Sequence, residues 1–293
     1  MTINIGIDIG GNHTGIGIVN ENGQIIQSDI LNYNNHAIEV NAIFEFINQF
    51  IHSHQEYEIQ SIGVGVPGIV TGSTIHYTCN LPLGHIDVKD YMRSNIPIYL
   101  SNDVNCAAIA EYDIVDHNFY SNYALVAIGT GIGAGIIING KLYSGISNSA
   151  GEIGHMVIEK DGLPCRCGRR GCFEQYASCT ALKKMTHLDS LKEIFYLSET
   201  NEVIANVLDE YINNLAEGLA NFINLFDVEM LVIGGGLSRF GEHILPKLKS
   251  KISEKICNKY TYDLNLKVAK LRNDAGIIGA SLLGKYTHLE EET

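Results

Sequence analysis

Alternating hydrophobic and polar positions along the chain predict a protein in which strands and helices follow one another. Helical periodicity occupies residues 36–54, 103–114, 201–226, 240–256 and 274–288. Runs rich in Ile and Val, typical of strands, lie near residues 3–9, 14–20, 24–30, 60–66, 97–101, 122–128, 132–138 and 229–233. Because the strands alternate with helices, the pattern predicts the α/β class.

An approximate internal repeat divides this pattern into two similar halves. Ile7-Asp8-Ile9-Gly10-Gly11 opens a hairpin that turns at Asn22-Gly23, and Ile128-Gly129-Thr130-Gly131 opens another that turns at Asn139-Gly140. Each half therefore carries a glycine-rich turn at the end of a strand. We expect two similar lobes.

The two glycine-rich turns are candidates for binding phosphate. Without a Cβ, glycine lets a phosphate approach the backbone N–H groups closely. One such turn alone is equally consistent with a tight hairpin, but Asp8 and Thr130 add a carboxylate for hydrated Mg²⁺ and a hydroxyl for phosphate. Neither turn has the G-x-x-x-x-G-K-[ST] pattern of a P-loop.

A third glycine cluster, Gly234-Gly235-Gly236, follows the buried-strand pattern of residues 230–233. Its position between a strand and a helix would let a flat nucleotide base pass over the backbone. A strand-to-helix glycine turn with Ser238 as a helix cap is common in any α/β domain, so the cluster gains weight only from the other two turns.

Composition restricts the function. The chain has 293 residues, 45% of them apolar, which is sufficient for two domains around a cleft. Charged residues are 18%, and no apolar run reaches the length of a membrane span. The N-terminus lacks a signal-peptide pattern, so we expect a cytoplasmic protein without a membrane partner. The formal charge of −13 provides no basic surface for nucleic acid and favours a small-molecule partner.

Seven cysteines are an odd number, and three of them lie within eight residues. This distribution favours metal ligation in a reducing compartment over a set of disulfides. The four other cysteines, at positions 79, 106, 179 and 257, are expected to be ordinary core thiols.

Asp103 is the candidate general base. It follows the predicted strand Ile98–Ser101 and begins a helix, so it is expected at a strand end facing a cleft. Asp is also a common helix cap, which is the structural alternative. Phosphoryl transfer needs a carboxylate to accept the hydroxyl proton, and the neighbouring Asn102 can both donate to and accept from sugar hydroxyls.

The segment from Gly151 to Glu174 has the most specific pattern. His155 with Cys165, Cys167 and Cys172 forms a complete Cys₃His ligand set for structural zinc, with no open position for water. The spacing differs from that of a zinc finger, so reduced cysteines without metal are the alternative. If one ring nitrogen of His155 binds zinc, the other is protonated and can donate to a sugar hydroxyl.

Together these motifs resemble the ROK family of bacterial sugar kinases, the repressor, open-reading-frame and kinase group. The resemblance extends over almost the whole chain. Its elements are Asp8-Ile9-Gly10-Gly11, Gly65-Val66-Pro67-Gly68, Asn102-Asp103-Val104-Asn105, Gly129-Thr130-Gly131-Ile132-Gly133, Glu152-Ile153-Gly154-His155, the three-cysteine segment and Gly234-Gly235-Gly236.

The resemblance implies an actin-like (ribonuclease H-like) two-domain sugar kinase fold with a cleft between the lobes. We assign the smaller lobe to residues 1–115 plus 280–293 and the larger one to residues 116–279. The implied cofactors are ATP, Mg²⁺ and structural Zn²⁺, the last on His155, Cys165, Cys167 and Cys172. The implied base is Asp103, with sugar contacts from Gly68, Asn80, Asn102, Asp103, Glu152, His155 and Glu174. The expected residues for ATP and Mg²⁺ are Asp8, Gly10, Gly11, Asn12, Thr130, Gly131, Gly235 and Gly236.

Departures from the family pattern concern the substrate. The first turn reads Gly11-Asn12-His13 where the family usually has Gly-Thr-Lys, and the chain has no tryptophan where glucose-type members commonly carry one. The stretch Asn80-Leu81-Pro82-Leu83, His13, Asp103-Val104-Asn105 and residues 223–227 most resemble the D-allose kinase branch. We therefore expect transfer to the 6-hydroxyl of a hexose, with D-allose favoured. The alternatives are glucose, fructose, N-acetylmannosamine and N-acetylglucosamine.

Three other functions compete with this interpretation. A sugar-responsive repressor is disfavoured because Ile3 already begins the first strand and no basic stripe is present. A silent sugar-binding protein would not need Asp8, Asp103 and both glycine turns. A zinc hydrolase would need an open coordination position. The resemblance also implies a homodimer.

Overall fold

The structure is a computed structural model that describes residues 2–33, 38–78, 81–258 and 264–287. The chain forms two compact units, each assembled from separate segments. The first contains the residues up to Phe119, Gly135–Ala150 and the residues from Lys270 onward. The second contains Tyr120–Ala134 and Gly151–Ala269.

The described secondary structure alternates along the chain as the pattern predicts. The strands are β1 (Ile3–Ile9), β2 (His13–Asn20), β3 (Ile25–Asn32), β4 (Ile59–Val66), β5 (Gly68–Thr71), β6 (Thr74–Thr78), β7 (Ile86–Asp87), β8 (Ile98–Asn102), β9 (Tyr123–Ile128), β10 (Ile132–Ile138), β11 (Lys141–Leu142), β12 (Met230–Gly234) and β13 (Leu266–Val268). The α-helices are α1 (Val40–Ser53), α2 (Asp103–Ala110), α3 (Glu174–Ala177), α4 (Cys179–Thr186), α5 (Leu191–Ser198), α6 (Glu202–Phe226), α7 (Gly241–Lys255), α8 (Ala275–Ser281) and α9 (Leu283–Thr287).

Two predicted helices are interrupted. The helix expected over 103–114 ends as α2 at Ala110 and continues as a π-helix over Glu111–Val115. The helix expected over 274–288 divides into α8 and α9, and the one expected over 36–54 is described as α1 from Val40 onward. The short strands β5–β7 and helices α3–α5 were not predicted, because elements this short present too little periodicity.

The first five-stranded sheet has the order β3-β2-β1-β4-β8. Pairing is antiparallel between β1, β2 and β3 and parallel between β1, β4 and β8. In the parallel part, Asp8 pairs with Gly65, and Gly65 pairs with Ser101. This register aligns the carboxyl ends of the three parallel strands, where ligands commonly bind in α/β sheets.

Opposite faces of this sheet pack differently. On one face, Ile5, Ile7 and other buried strand residues pack with the amphipathic helix α1. On the other face, α8 lies directly on the strands, because Gly6 and Gly63 leave room for its backbone. A Cβ at Gly6 would lie 1.8 Å from the Ile277 carbonyl oxygen, and a Cβ at Gly63 would lie 1.7 Å from that of Ala280. Larger residues at these two positions are incompatible with the helix.

The second five-stranded sheet has the order β11-β10-β9-β12-β13. The central strand of each sheet is the first of its five in sequence, followed on one side by the second and third and on the other by the fourth and fifth. This repeated order confirms the internal duplication. Asn139 and Gly140 join β10 to β11 with φ values of 52° and 74°, the left-handed geometry of a type I′ hairpin.

The long helix α6 organises the helical part of the second unit. Its buried face includes Tyr211 and Leu215, and Gly218 admits the ring of Phe173, which would lie 2.3 Å from a Cβ there. On the exposed side, Lys247 of α7 pairs with Asp209 at 2.9 Å. The three-cysteine segment is thus anchored on α6 through Phe173.

The predicted lobe boundaries differ from the two units. Residues 135–150 and 270–279 belong to the first unit, which is therefore the larger one by chain length. A Cβ at Gly135 would lie 2.4 Å from Ala108, so β10 runs against α2. The buried Glu111 carboxylate accepts hydrogen bonds from the N–H groups of Lys270 and Leu271, both at 2.6 Å. These contacts tie both segments to the first unit.

Among the helices of the described ranges, not one has the length and apolar character that a membrane crossing requires.

Candidate active site

Two carboxylates lie close together at the carboxyl ends of the parallel strands in the first unit. Asp8 is near the end of β1, and Asp103 follows β8 as the first residue of α2. Asp8 pairs with Gly65 in the sheet, and a Cβ at Gly65 would lie 3.7 Å from the Cα of Asp103. The structure therefore brings together two residues predicted for Mg²⁺ binding and catalysis, although 94 residues separate them in sequence.

Asp8 has a strongly perturbed titration. Burial, and secondly the Asp103 charge, raise the pKa of Asp8 from 3.8 to about 7. Its carboxylate lies against the first turn of α8, since a Cβ at Gly276 would lie 2.4 Å from Oδ2. Burial, with the charges of Asp8 and Asp103, also raises the pKa of Cys106. Negative charge is thus costly here, and a bound cation would offset that cost.

Asn102 immediately precedes α2, and its side chain forms hydrogen bonds at the start of this helix. Its Oδ1 accepts a hydrogen bond from the Val104 N–H at 2.9 Å, and its Nδ2 donates to the Gly68 carbonyl at 3.2 Å. The helix cap is therefore Asn102, and the structural alternative that Asp103 is the cap is wrong. Three predicted sugar-binding residues, Gly68, Asn102 and Asp103, are held together in this way. A fourth, Asn80, lies outside the described residues.

The first glycine turn is exposed and tightly closed. The Gly10 N–H donates to the His13 carbonyl at 2.9 Å, and the Asn12 carbonyl accepts from the Tyr33 N–H at 3.0 Å. A Cβ at Gly11 would meet no atom within 4 Å. Packing therefore gives no reason for glycine at position 11, and the open space leaves the backbone accessible to a ligand.

The second glycine turn, between β9 and β10, contacts Glu174. The Gly129 N–H donates to the Gly131 carbonyl at 3.0 Å, and Thr130 is exposed at the tip. A Cβ at Gly131 would lie 2.8 Å from Oε2 of Glu174. The predicted phosphate residues and one predicted sugar residue of the second unit are therefore adjacent.

The third glycine turn lies beside the second one. Gly235 has a φ of 72°, and a Cβ there would lie 2.5 Å from the Ile128 carbonyl oxygen, so position 235 requires glycine on both counts. The Ser238 hydroxyl donates to the Gly235 carbonyl at 2.7 Å. Ser238 does not cap α7, whose N-cap residue is Phe240.

The four predicted zinc ligands converge. The ligand atoms of His155, Cys165, Cys167 and Cys172 all lie within 4.8 Å of one another. Nδ1 of His155 is 3.6 Å from Sγ of Cys165, and Sγ of Cys167 is 3.6 Å from Sγ of Cys172. A tetrahedral zinc with bonds of about 2.0–2.3 Å separates its ligand atoms by roughly 3.5–3.8 Å. The donor set therefore fits zinc, and these two separations match a tetrahedral site.

His155 presents its two ring nitrogens to different groups. Nδ1 faces the cysteines, while Nε2 is 3.8 Å from Oε2 of Glu152. Oε1 of Glu174 lies 3.3 Å from Sγ of Cys165 and 4.0 Å from Nδ1 of His155. Glu152, His155 and Glu174 thus form one polar group beside the metal-binding cluster.

The remaining cysteines differ from one another. Cys106 and Cys179 are buried thiols, as predicted, but Cys257 is exposed, so the prediction that it belongs to the core is wrong. Cys257 directly follows the buried Ile256, after α7 has ended. Cys79 lies outside the described residues.

Sequence reasoning missed Gly276 and Cys106 as neighbours of the paired carboxylates. Gly276 contacts Asp8 from a distant part of the chain, and no local pattern predicts that proximity. Cys106 occupies the fourth position of α2, where its helical spacing from Asp103 was the available signal.

Comparisons with known proteins agree with this geometry. A model of the ROK family matches residues 4–286. The glucokinase of Halalkalibacterium halodurans is 28% identical over 311 residues, covering 96% of this chain and 94% of the glucokinase. The xylose repressor of Bacillus subtilis is 30% identical over 289 residues, covering 94% of this chain and 75% of the repressor.

Among solved structures, the ROK family glucokinase of Streptomyces griseus in complex with glucose and AMPPNP is similar to this chain. It is 27% identical with a TM-score of 0.79, and the likeness covers 97% of this chain and 99% of that one. This likeness confirms the predicted actin-like α/β fold.

Proposed function

The chain belongs to the ROK family, and on that premise we propose that it is an ATP-dependent kinase for the 6-hydroxyl of a hexose. The observation that carries the proposal is the pairing of Asp8 with Asp103 at the ends of parallel strands. A kinase needs both a carboxylate to accept the hydroxyl proton and one to serve the divalent cation. Glucokinases match this chain over nearly their full length, which supports the same assignment.

Asp103 is the proposed general base. As the sugar oxygen forms its bond to the terminal phosphorus and the bond to the leaving ADP breaks, the hydroxyl proton passes to the Asp103 carboxylate. Capping of α2 by Asn102 keeps Asp103 in the first turn of the helix. The protein's contribution is therefore to position and orient this carboxylate.

Asp8 and the glycine turns are the proposed ATP and Mg²⁺ residues. Magnesium–ATP supplies the phosphoryl group and the cation that neutralises charge on it. Asp8 would hold the hydrated cation, with Gly10, Gly11 and Asn12 offering backbone and amide groups to phosphate. In the second unit, Thr130, Gly131, Gly235 and Gly236 are the corresponding proposals. Open space above Gly11 supports this assignment.

The proposed sugar contacts are Gly68, Asn80, Asn102, Asp103, Glu152, His155 and Glu174. Carboxylates accept strong hydrogen bonds from vicinal hydroxyls. Zinc bound through Nδ1 of His155 would fix the ring so that the protonated Nε2 can donate to a hydroxyl. This assignment gives the metal a structural role.

D-Allose is the proposed sugar, on the sequence features around Asn80 and His13. Glucose is the first alternative, because relatives that match this chain are glucokinases. Fructose, N-acetylmannosamine and N-acetylglucosamine follow. Epimers differ in one or two hydrogen bonds, so a site built around those bonds can still separate them strongly.

A kinase assay with ATP tests the activity and the substrate together. The six sugars to compare are allose, glucose, mannose, fructose, N-acetylmannosamine and N-acetylglucosamine, ranked by kcat/KM. In the same assay Asp103→Asn should abolish turnover while sugar binding, measured by calorimetry, is largely kept, because the amide still forms hydrogen bonds but takes no proton. Undiminished turnover by Asp103→Asn would remove Asp103 as the base.

A sugar-responsive regulator is the second candidate, because a xylose repressor is among the matching relatives. It predicts sugar binding without turnover and salt-sensitive binding to operator DNA. Turnover of any sugar in the panel decides for the kinase. We also propose that the protein is cytoplasmic and forms a homodimer. Analytical ultracentrifugation of the purified chain measures its oligomeric state.

A further inference from the structure

A cavity of about 270 Å³ lies within the second unit, between the three-cysteine segment and α4. Thr130 of the second glycine turn lines one part of it, and Gln175 and Thr180 line its wall. Arg166 and Lys184 also line the cavity and bring two positive charges to it. The volume is just below the range of about 300–1,000 Å³ that is typical of ligand pockets, which suits a ligand smaller than a nucleotide.

The cavity is separate from the third glycine turn, whose residues are not part of its lining. Cys179 of α4 faces that turn, since a Cβ at Gly236 would lie 3.8 Å from the Cys179 sulfur. Thr180 and Lys184 are one helical turn apart on α4 and share a different face, the one that lines the cavity. The Thr180 hydroxyl donates to the Thr130 carbonyl at 2.9 Å, which joins this face of α4 to the phosphate turn.

Both cations of the cavity are available to a ligand. Within the described residues, neither Arg166 nor Lys184 forms a side-chain hydrogen bond or an ion pair, whereas Lys247 and Lys255 of α7 are paired with carboxylates. Both side chains are exposed, in a chain with a formal charge of −13. Two unpaired cations at one cavity therefore favour an anionic ligand.

The carboxylate of Glu174 also lines the cavity but is engaged elsewhere. Its Oε1 accepts a hydrogen bond from Nε2 of Gln175 at 3.3 Å. Its Oε2 would lie 2.8 Å from a Cβ at position 131, so the carboxylate packs against Gly131. The cavity therefore combines a carboxylate that suits hydroxyls with two cations, Arg166 and Lys184, that suit phosphate.

We propose that this cavity is a subsite for a phosphate monoester, with Arg166 and Lys184 binding the phosphate of the phosphorylated sugar. The proposal rests on the proposed kinase function, because the sugar phosphate is the product of that reaction. Arg and Lys are the side chains that bind phosphate most strongly, and the phosphate turn at Thr130 is where the product would be formed. Retention of the product there predicts product inhibition.

Calorimetric titrations of the full chain test the subsite, with glucose 6-phosphate, allose 6-phosphate, the two free sugars and inorganic phosphate as probes. The variants are Arg166→Gln and Lys184→Gln. The matched controls are Arg170→Gln on the same cysteine segment and Lys183→Gln on the same helix. Zinc content is measured in every preparation, so that damage to the metal site by Arg166→Gln is recognised.

We expect a sugar phosphate to bind more tightly than its free sugar, and each cavity variant to lose about tenfold in that affinity. The controls should keep wild-type affinity, and the wild-type affinity should fall with added salt. The product inhibition constant should rise about tenfold in the same two variants while KM for the sugar stays unchanged.

Three results would overturn the subsite. In the first, the cavity variants bind the sugar phosphate as tightly as the wild type does. In the second, the control variants lose as much affinity as the cavity variants do. In the third, inorganic phosphate binds as tightly as the sugar phosphate. The last result would assign the cavity to free phosphate. The titrations contain no ATP and measure binding alone. Absence of turnover in the kinase assay would therefore refute the kinase proposal, whereas only the titrations can refute the phosphate subsite.

Discussion

Replacing Asp8 with Asn should stabilise the protein at alkaline pH while it removes activity. Asn keeps the size and the hydrogen-bonding capacity of the side chain but carries no charge. Because burial and the Asp103 charge raise the pKa of Asp8 from 3.8 to about 7, the ionised side chain is costly in the folded state. At about 1.4 kcal/mol per pKa unit, the cost reaches at most about 4 kcal/mol.

The sign of the pH dependence follows from proton binding. Between about pH 4 and pH 7 the folded protein holds a proton on Asp8 that the unfolded chain has already released. Stability contributed by Asp8 therefore falls as the pH rises through this range and is constant above it. Asp8 is partly exposed, so solvent screening reduces the cost, and we expect a gain of about 1–3 kcal/mol for Asp8→Asn at pH 8.

Calorimetric melting of wild type and Asp8→Asn at pH 5 and pH 8, without divalent cations, measures this effect. At pH 5 the difference in Tm should have roughly a third of its full size, and at pH 8 it should reach roughly 2–8 °C in favour of the variant. Titrating groups that do not interact with Asp8 cancel in the difference. Added Mg²⁺ should reduce the difference by stabilising only the wild type. A Tm difference that does not grow between pH 5 and pH 8 would refute the reasoning.

Three further predictions concern the metal cluster, the glycine turns and the packing of the first unit. Removing zinc with a chelator, or by Cys167→Ser, should release His155 and lower sugar affinity, measured by calorimetry with metal analysis; full activity in metal-free protein would contradict this. Gly11→Ala should melt at the wild-type temperature but bind ATP about tenfold more weakly, whereas Gly131→Ala should displace Glu174, a proposed sugar contact, and weaken sugar binding; the reverse pattern would exchange their roles. Glu111→Ala should cost about 2–4 kcal/mol in chemical denaturation, because two backbone N–H groups lose their acceptor, and Glu111→Gln should cost less; equal losses would contradict this account.

Local signals predicted much of the fold. The period-two runs predict β1, β4 and β8, and the repeated hairpins predict two similar lobes; the structure adds that their sheets share one strand order. Strand register and helix packing are long-range properties, so the approach of α8 to the first sheet could not be predicted. Gly6 and Gly63 were unremarkable in sequence and become essential only once the backbone of α8 lies on them.

The candidate site was predictable where ligands are close in sequence. Cys165, Cys167 and Cys172 lie within one segment, and with His155 they form a complete donor set, which predicts the cluster although the spacing differs from that of a zinc finger. The electrostatic coupling between Asp8 and Asp103 depends on parallel pairing across two strands, which the sequence does not encode locally.

The packing of α8 also affects the order in which the chain can fold during synthesis. The first sheet is complete in sequence at Asn102, but the helix that covers one of its faces begins only at Ala275. All of Gly151–Ala269, most of the second unit, is translated in between. The first sheet therefore leaves the ribosome before α8 is made, with its glycine-lined face open. We expect the first unit to acquire stable structure after the second unit, although most of its residues are made first.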